Sequence, residues 1–320
     1  MGSDSDQPNA VTGASYRVAC LSGSGIGPEV MAEATRVLQE VARLHGFVVE
    51  DAHVPFGAEA QTSLGHPLPA QTRATYRGAD AILAASRRTP ALEGVRAELE
   101  LVAELRRAGF APDGDVAMLN PLASGHEEWT IARAFLLAKH RRGRLSSIGG
   151  DREWRSLVER IGADWPEIEI EHLSVRAARV IVANDPCQLD VVFAGEEAAG
   201  DLAREAEEKT LVAAEADLAS SGPSLFGPTH QTASRIAGQG VANPSGMLVA
   251  VSLLLAEGLG ERVAAGTLDR AIREALRKGA RTADMVKAGI AATTREFTEN
   301  VLAELPRARQ DNDLSTEELR

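Results

Sequence analysis

The spacing of apolar positions divides the chain into short extended runs and longer helical runs that alternate along its length. Residues 16–21 form an apolar run of strand length, and residues 29–46 repeat apolar side chains at helical spacing. Further strands are predicted at 47–54, 79–84, 116–119, 144–148, 167–175 and 190–194, and further helices at 91–108, 130–140, 154–161, 176–183, 200–208, 247–257 and 268–278. This alternation predicts an α/β fold, with a largely parallel open sheet covered by helices.

Length and composition favour a two-lobed chain with a substantial core. The 320 residues are long for one hydrophobic core, 44% of them are hydrophobic and only 4% are aromatic. A net charge of −12 opposes binding to nucleic acid or to an anionic membrane, although a local group of arginines can still hold a small anion. We therefore expect a small-molecule partner, with neither nucleic acid nor membrane as a partner.

The chain ends and the cysteines indicate the cellular compartment. Residues 1–14 are polar and lack the apolar segment of a signal peptide, so we expect a disordered leader, and the charged residues 306–320 predict a disordered tail. The longest apolar run, around 247–256, is too short to span a membrane. Cys20 and Cys187 lie far apart in the sequence with no metal-ligand spacing, which favours a reducing cytoplasm.

A glycine-rich turn, SGSGIGP at 22–28, follows the first predicted strand. Glycines in such a turn permit positive φ, and the N-terminus of the following helix can hold an anion. The spacing differs from the GxGxxG of dinucleotide-binding folds. From spacing alone, a tight strand-to-helix turn is the favoured explanation, with Pro28 in the first turn of the helix and Glu29 complementing its dipole.

Three segments resemble the isopropylmalate/isocitrate dehydrogenase family, the β-decarboxylating dehydrogenases. LSGSGIGPEV at 21–30 is similar to the family's PGDGIGPEV, with Ser24 at the position of the aspartate. FGAEAQTSLGHPLPAQT at 56–72 is similar to a segment that ends in G-x-PLP-x-x-T. GPTHQTASRIAGQGVANPSGML at 227–248 resembles P-x-HGSAPDIAGKGIANP, which wraps the adenosine half of the nicotinamide cofactor.

This resemblance implies a two-lobed fold around a shared sheet. One lobe would comprise residues 15–101 and 212–305, and the smaller lobe, 102–211, would carry a homodimer interface. In the family, arginines bind the substrate carboxylates, a tyrosine and a lysine transfer protons, and three aspartates hold a divalent metal. The resemblance therefore implies a small anionic substrate, a carboxylic acid, with NADP or NAD as cofactor.

The substrate arginines are only partly matched. VRAELELVAELRRAG at 95–109 resembles L-R-K-E-L-x-L-Y-A-N-L-R-P-V, which maps two of them onto Arg96 and Arg106. On the helix predicted at 91–108, both can equally lie on a solvated face among the interleaved glutamates. The third arginine maps onto Asn120, whose neutral amide cannot replace a bidentate guanidinium.

The proton-transfer residues are replaced. In MLNPLASGHEEW at 118–129, Glu127 stands at the family's tyrosine, beside His126. Either side chain can exchange protons, but a polar loop before a helix is the favoured explanation. The lysine of S-V-D-K-A-N-V corresponds to a position near Gly150, so we expect the function of that lysine to be absent.

The metal ligands are also changed. The aspartate that the family supplies across the dimer is Arg176 here, in HLSVR, and the other two map onto Asp201 and Glu205 in GDLARE. An Asp and a Glu four residues apart share one helical face, so metal binding is geometrically conceivable. Because an arginine beside them would repel a cation, we expect no tightly bound divalent metal.

The cofactor segment is better matched. His230, Ile236, Gly238 and Asn243 fall at positions of the family's cofactor segment. Arg235 stands where NAD-dependent members have an aspartate, which favours a 2′-phosphate and hence NADP. The alternative is a surface arginine left after cofactor binding was lost.

These replacements leave several functions open. The leading hypothesis is a diverged member of the family that binds a nicotinamide dinucleotide and a small carboxylic acid, with atypical chemistry that uses no metal. One alternative is a catalytically silent binding or regulatory homologue. Another is a non-redox lyase or isomerase that uses Glu127 or His126.

Overall fold

A computed structural model describes residues 13–87, 89–111, 114–287 and 289–317. Within these residues the strands are β1 (Ser15–Leu21), β2 (Val48–His53), β3 (Ala81–Ala84), β4 (Leu101–Ala111), β5 (Gly114–Pro121), β6 (Arg144–Ile148), β7 (Glu169–Leu173), β8 (Val191–Ala194), β9 (Ala214–Ala219) and β10 (Ser224–Pro228). The helices are α1 (Gly27–His45), α2 (Ala58–Leu64), α3 (Ala70–Arg77), α4 (Pro90–Arg96), α5 (Glu127–Lys139), α6 (Arg152–Gly162), α7 (Val175–Asn184), α8 (Glu196–Thr210), α9 (Ser245–Leu253), α10 (Arg262–Arg277) and α11 (Thr294–Glu317).

All ten strands belong to one sheet in the order β2-β1-β3-β10-β9-β4-β5-β8-β6-β7. The pairs toward each edge are parallel, as in β1 with β3 and β6 with β8. The middle is antiparallel, where β9 pairs with β10 and β4 pairs with both β9 and β5. The predicted α/β fold with a largely parallel shared sheet is therefore confirmed.

Helices cover the sheet through apolar faces that the sequence pattern indicates. On α1, the residues repeated at helical spacing are buried: Val30, Ala34, Val37, Leu38 and Val41. All nine residues of α9 are buried, which explains why this segment is apolar on every side. After α9, residues 254–258 form a π-helical turn before α10 begins.

The helix predicted at 91–108 is wrong. α4 ends at Arg96, and β4 begins at Leu101 and pairs on both sides within the sheet. The sequence misleads because a strand buried on both faces loses the alternation of apolar and polar residues. The charged residues of β4 are satisfied by ion pairs with neighbouring elements, which overrides their helical propensity.

A buried ion network fixes β5 to the elements around it. Asp115 on β5 is 2% exposed and accepts hydrogen bonds from Arg107 Nε at 2.9 Å, Arg141 Nη1 at 3.2 Å and Arg273 Nη2 at 2.5 Å. Burial alone would raise the pKa of Asp115, but the surrounding guanidinium groups outweigh burial and hold it well below its usual range. The network therefore stabilises β4, β5 and α10 against one another.

The ends of the chain differ in part from the expectation. Most of the expected leader, residues 1–12, lies outside the described residues. Residues 306–317 were expected in a disordered tail, whereas α11 continues through Pro306 to Glu317. No helix among the described residues is long and apolar enough to cross a membrane. Both cysteines are free thiols, and burial raises the pKa of Cys20 to about 12.

Candidate nucleotide and substrate site

The glycine-rich turn between β1 and α1 supports a neighbouring loop. Gly25 has a φ of +66°, and a Cβ there would lie 1.9 Å from the carbonyl oxygen of Thr232. The Ile26 N–H donates to that same oxygen at 2.8 Å. Glycine is required at this position because the loop packs directly against the turn. These contacts are those of a tight strand-to-helix connection.

A cavity of about 710 Å³ lies beside this loop. Its volume falls within the range of ligand pockets, roughly 300–1,000 Å³. The walls come from the glycine turn, the end of α8, the segment after β10 and the turn at 283–284. The lining residues are Ile26, Glu207, Leu211, Ala213, Thr229, His230, Gln231, Ala233, Ile236, Val241, Asn243, Gly246, Ala283 and Asp284.

His230 presents a hydrogen-bond acceptor in the cavity wall. Its Nδ1 lies 3.0 Å from the carbonyl oxygen of Gln231, which assigns the proton to Nδ1. Burial lowers the pKa of the imidazole, which favours the neutral form at pH 7. The Nε2 atom is buried and has no hydrogen-bond partner among the described residues. An unpaired buried acceptor is costly, so a donor from a ligand would stabilise this site.

Two of the other predicted cofactor residues, Ile236 and Asn243, line the same cavity, and Gly238 lies in the loop between them. Ile236 lies in its wall, and Asn243 is held by a hydrogen bond from its Nδ2 to Asp284 Oδ2 at 3.0 Å. Gly238 has a φ of +73°, and its N–H donates to Glu29 Oε2 at 3.1 Å. The structure therefore brings the segment together around one cavity and anchors it to α1.

Arg235 lies at the rim of this cavity. It sits in a short 3-10 turn, Ser234–Ile236, between two residues that line the cavity wall, and its side chain is exposed. Among the residues that the structure describes, no carboxylate pairs with this guanidinium. Arg235 is therefore an exposed residue of the loop whose Ala233 and Ile236 line the cavity.

Arg96, by contrast, is engaged by carboxylates of the protein. It is the last residue of α4 rather than part of the longer helix expected. Its Nε donates to Asp217 Oδ2 at 2.8 Å, and its Nη1 donates to Glu93 Oε1 at 2.7 Å. The side chain is 26% exposed, whereas that of Asp217 is 3% exposed. Arg96 is thus held against the sheet.

Arg106 is engaged in the same way. It lies on β4, with its Nη2 2.5 Å from Glu104 Oε2 and its Nε 3.6 Å from Glu215 Oε2. Its Nη1 is buried and has no hydrogen-bond partner among the described residues. This group faces a small cavity of about 80 Å³, which Gly200 also lines. Arg106 therefore has one guanidinium nitrogen left for a ligand.

The residues that bind these arginines are not indicated by the sequence pattern. Arg87 is fully buried, with its Nε 3.0 Å from Glu215 Oε1 and its Nη2 2.5 Å from Asp217 Oδ1. Glu215 and Asp217 alternate with alanine in β9, AEADLA, a segment for which no strand is predicted from the sequence. The period-two spacing of these two acids was a signal that both point to one face.

The residues expected in place of the third arginine and the tyrosine lie away from the larger cavity. Asn120 is fully buried on β5, directly opposite Glu104 of β4. His126 immediately precedes α5, and Glu127 Oε2 accepts a hydrogen bond from the Gly125 N–H at 2.8 Å. Glu127 therefore closes a turn at a helix N-terminus, which agrees with the polar loop before a helix that the sequence favours here.

Lys139, the lysine closest in sequence to the missing catalytic position, has another role. It lies at the end of α5, where its Nζ is 3.2 Å from Glu167 Oε1. Its ammonium group also lies 5.5 Å from the ring centre of Trp165. Lys139 is therefore held on the outside of the sheet by an ion pair and a cation–π contact.

The acidic pair on α8 does not fit a divalent metal. Asp201 Oδ1 accepts from Arg204 at 3.0 Å, and Glu205 Oε1 accepts from Arg179 Nε at 2.8 Å. Each carboxylate is paired with its own arginine, and Arg176 is exposed at the start of α7. Within the described residues, no three metal-ligating side chains converge. Hard cations require several converging oxygens, whereas each of these two carboxylates lies within hydrogen-bond distance of an arginine.

Comparison with known proteins agrees with the fold. The family described as isocitrate/isopropylmalate dehydrogenase matches residues 17–113 and 131–301. The unmatched stretch between them contains Asn120, His126 and Glu127, so the family's residues cannot be carried over there.

Relatives and solved structures give the same result. The 3-isopropylmalate dehydrogenase of Synechococcus sp. (strain CC9902) is 32% identical over 339 aligned residues, covering 86% of this chain and 95% of the relative. A chloroplastic 3-isopropylmalate dehydrogenase of Arabidopsis thaliana is 31% identical, covering 86% of this chain and 83% of the relative.

Among solved structures, a β-decarboxylating dehydrogenase from Thermococcus kodakarensis superposes with a TM-score of 0.78 at 23% identity, covering 91% of this chain and 96% of the other. The isocitrate dehydrogenase of Methylococcus capsulatus gives a TM-score of 0.73 at 22% identity, covering 91% of this chain and 99% of the other. The chain belongs to the isocitrate/isopropylmalate dehydrogenase family.

Proposed function

We propose that this chain binds a nicotinamide dinucleotide in the cavity beside His230, with NADP favoured over NAD. The observation that carries the proposal is the buried Nε2 of His230, an acceptor without a partner among the described residues, in the wall of a cavity of about 710 Å³. The apolar side chains of the lining suit a planar base, and Glu207, Asn243 and Asp284 add polar groups to the wall. Family membership supports the same ligand class.

Each residue would have a defined role in holding the nucleotide. The neutral His230 would accept a hydrogen bond from the base, and Ile26 and Ile236 would pack against it. Arg235, exposed at the rim, would pair with a 2′-phosphate. When bound, the dinucleotide would supply a hydride acceptor or donor. The residues of this chain would bind it, orient it and shield its base from water.

We further propose that the chain does not use the family's metal-assisted oxidative decarboxylation. Asp201 and Glu205 are each paired with an arginine, and Arg176 stands at the third ligand position. Arg96 and Arg106, the expected substrate arginines, are paired with carboxylates of the protein. These pairs give specific support to the second candidate, a binding or regulatory homologue without turnover. The contact of Glu127 within its own turn gives no such support to a lyase.

Calorimetric titration with NADP, NADPH, NAD and NADH tests the proposal. We expect binding that favours the 2′-phosphorylated forms, and Arg235→Asp should remove that preference. Arg155→Asp, at an exposed position on α6, is the matched control and should leave it unchanged. Failure of the folded parent to bind any of the four nucleotides would refute the proposal. Production of NADPH from NADP with a 2-hydroxy acid would favour the enzyme over the silent homologue.

We also propose the lobe boundaries and the homodimer that the resemblance implies. The lobes would be 15–101 with 212–305, and 102–211. Exposed apolar side chains on α7 support an interface there, since Val175 is 37% exposed and Val180 is 57% exposed. Light scattering coupled to size exclusion should give twice the chain mass of 33.9 kDa, and Val180→Glu should shift the protein toward the monomer.

A further inference from the structure

The charged groups around Arg106 are balanced within the protein. Three guanidinium groups, from the segment after β3, from α4 and from β4, face three carboxyl groups of β4 and β9, and all of them are wholly or largely buried. The arginines are Arg87, Arg96 and Arg106, and the carboxyl groups belong to Glu104, Glu215 and Asp217. Since each arginine has a carboxylate of the protein within ion-pair distance, the cluster needs no external anion for neutrality.

A further carboxylate in this cluster would be repelled. Charges interact more strongly in a buried site than in water, because screening by solvent is weak. Burial, together with Glu215 and Asp217, already raises the pKa of Glu104, although Arg106 opposes the shift. Arg107 and Arg204 also line the cavity that Arg106 faces, but each is paired with carboxylates of the protein. The surroundings of Arg106 therefore offer no unpaired positive charge to an additional anion.

One hydrogen-bonding group remains open to a ligand. Arg106 Nη1 faces the cavity of about 80 Å³, which has room for a few non-hydrogen atoms. Glu207, Ala213 and Thr229 line both this cavity and the larger one beside His230, so the two adjoin. Thr229 Oγ1 donates a hydrogen bond to Glu207 Oε1 at 2.5 Å in this shared wall, so a molecule lying next to the nucleotide reaches Arg106 when that pair moves apart.

We propose that Glu104, Glu215 and Asp217 occupy the place of the substrate's carboxylates, so that this site selects an uncharged polar molecule with a carbonyl or hydroxyl oxygen for Arg106 Nη1. The inference rests on the proposed function in one respect, since it takes the space beside the nucleotide as the substrate site. It replaces the small carboxylic acid expected from the resemblance by a neutral ligand. Glu104 stands where the family's phrase has asparagine, so it is the first residue to change.

The test compares malate with its neutral diamide, malamide, on the full chain. Calorimetric titrations are made on the parent, on Glu104→Asn and on the control Glu100→Asn. Glu100 is exposed four residues earlier, and its carboxylate accepts a hydrogen bond from Ser221. We expect the parent and the control to bind malate no better than malamide. Glu104→Asn should bind malate at least roughly tenfold more tightly than the parent, because a like charge is removed.

Malate binding by the parent in clear preference to malamide would overturn the inference, even if Glu104→Asn does not fold. Equal malate affinity in the parent and a folded Glu104→Asn would also overturn it. A separate titration with NADPH distinguishes the two proposals. If the parent does not bind NADPH, the proposed function is refuted. If the parent binds NADPH and also binds malate in preference to malamide, only the proposed exclusion of acids is refuted.

Discussion

Replacing Arg87 by leucine should strongly destabilise the fold, because it leaves two buried carboxylates without their shared cation. Arg87 is fully buried, and Glu215 and Asp217 are 4% and 2% exposed. Its Nη1 also donates to the carbonyl oxygen of Leu225 at 2.8 Å. Removal of one member of a buried ion pair costs about 3–5 kcal/mol. Arg96 and Arg106 still face the two carboxylates, so we expect a loss of about 3–4 kcal/mol.

Urea-induced unfolding, followed by tryptophan fluorescence and circular dichroism, measures this loss. The double variant Arg87→Leu/Glu215→Leu should recover part of it, since an unpaired buried charge is removed with its partner. Arg17→Leu is the control, because its pair with Glu50 is exposed on both sides. An Arg87→Leu protein that unfolds at the same urea concentration as Arg17→Leu would refute the reasoning.

Three further predictions concern acid stability, tyrosine ionisation and the glycine turn. The parent should lose stability as the pH falls below about 4, because the folded-state pKa of Asp115 is depressed and its contribution is present only above the unfolded value. Asp115→Asn should be less stable than the parent at neutral pH, and its stability should depend less on pH in this acid range. Thermal unfolding at each pH measures both effects. Absorbance at 295 nm should show little tyrosinate below about pH 11, because the hydrogen bond to Glu261 and burial raise the pKa of Tyr16 to about 12, and burial raises that of Tyr76 further. Gly25→Ala should lower nucleotide affinity and cost more than about 1 kcal/mol of stability. Gly65→Ala is the control, since Gly65 also has a positive φ but nothing lies near its Cβ, and this variant should keep the affinity. Equal nucleotide affinity in the two variants would contradict the role of the turn.

Much of the fold could be predicted because its outer strands and helices follow simple periods. Residues 144–148 were predicted as a strand with the bounds that β6 has in the structure. The middle of the sheet could not be predicted in this way. β4 and β9 carry Glu104, Arg106, Glu215 and Asp217, and charged residues in a run rich in alanine and leucine favour a helix by propensity. Pairing on both sides within the sheet, together with ion pairs such as that of Arg106 with Glu215, stabilises these segments as strands.

The candidate site could also be predicted only in part: the cofactor segment could be, and the surroundings of the two arginines could not. The cofactor residues lie in one continuous segment, 229–243, so matching that segment predicted a group of residues that the structure places around one cavity. The environment of Arg96 and Arg106 depends on Arg87 and on β9. Arg87 precedes α4, and β9 lies far from β4 in the sequence. The identity of a residue can be read from a sequence, but whether a guanidinium is free or already paired depends on tertiary contacts.

The most direct test of the whole account is saturation-transfer NMR on the full chain with NADPH and malate present together. The account predicts transfer to the protons of the adenine ring and none to the protons of malate. Transfer to malate, or its absence from the adenine ring, would contradict a family member that keeps a nucleotide cavity while its own carboxylates fill the site of the acid.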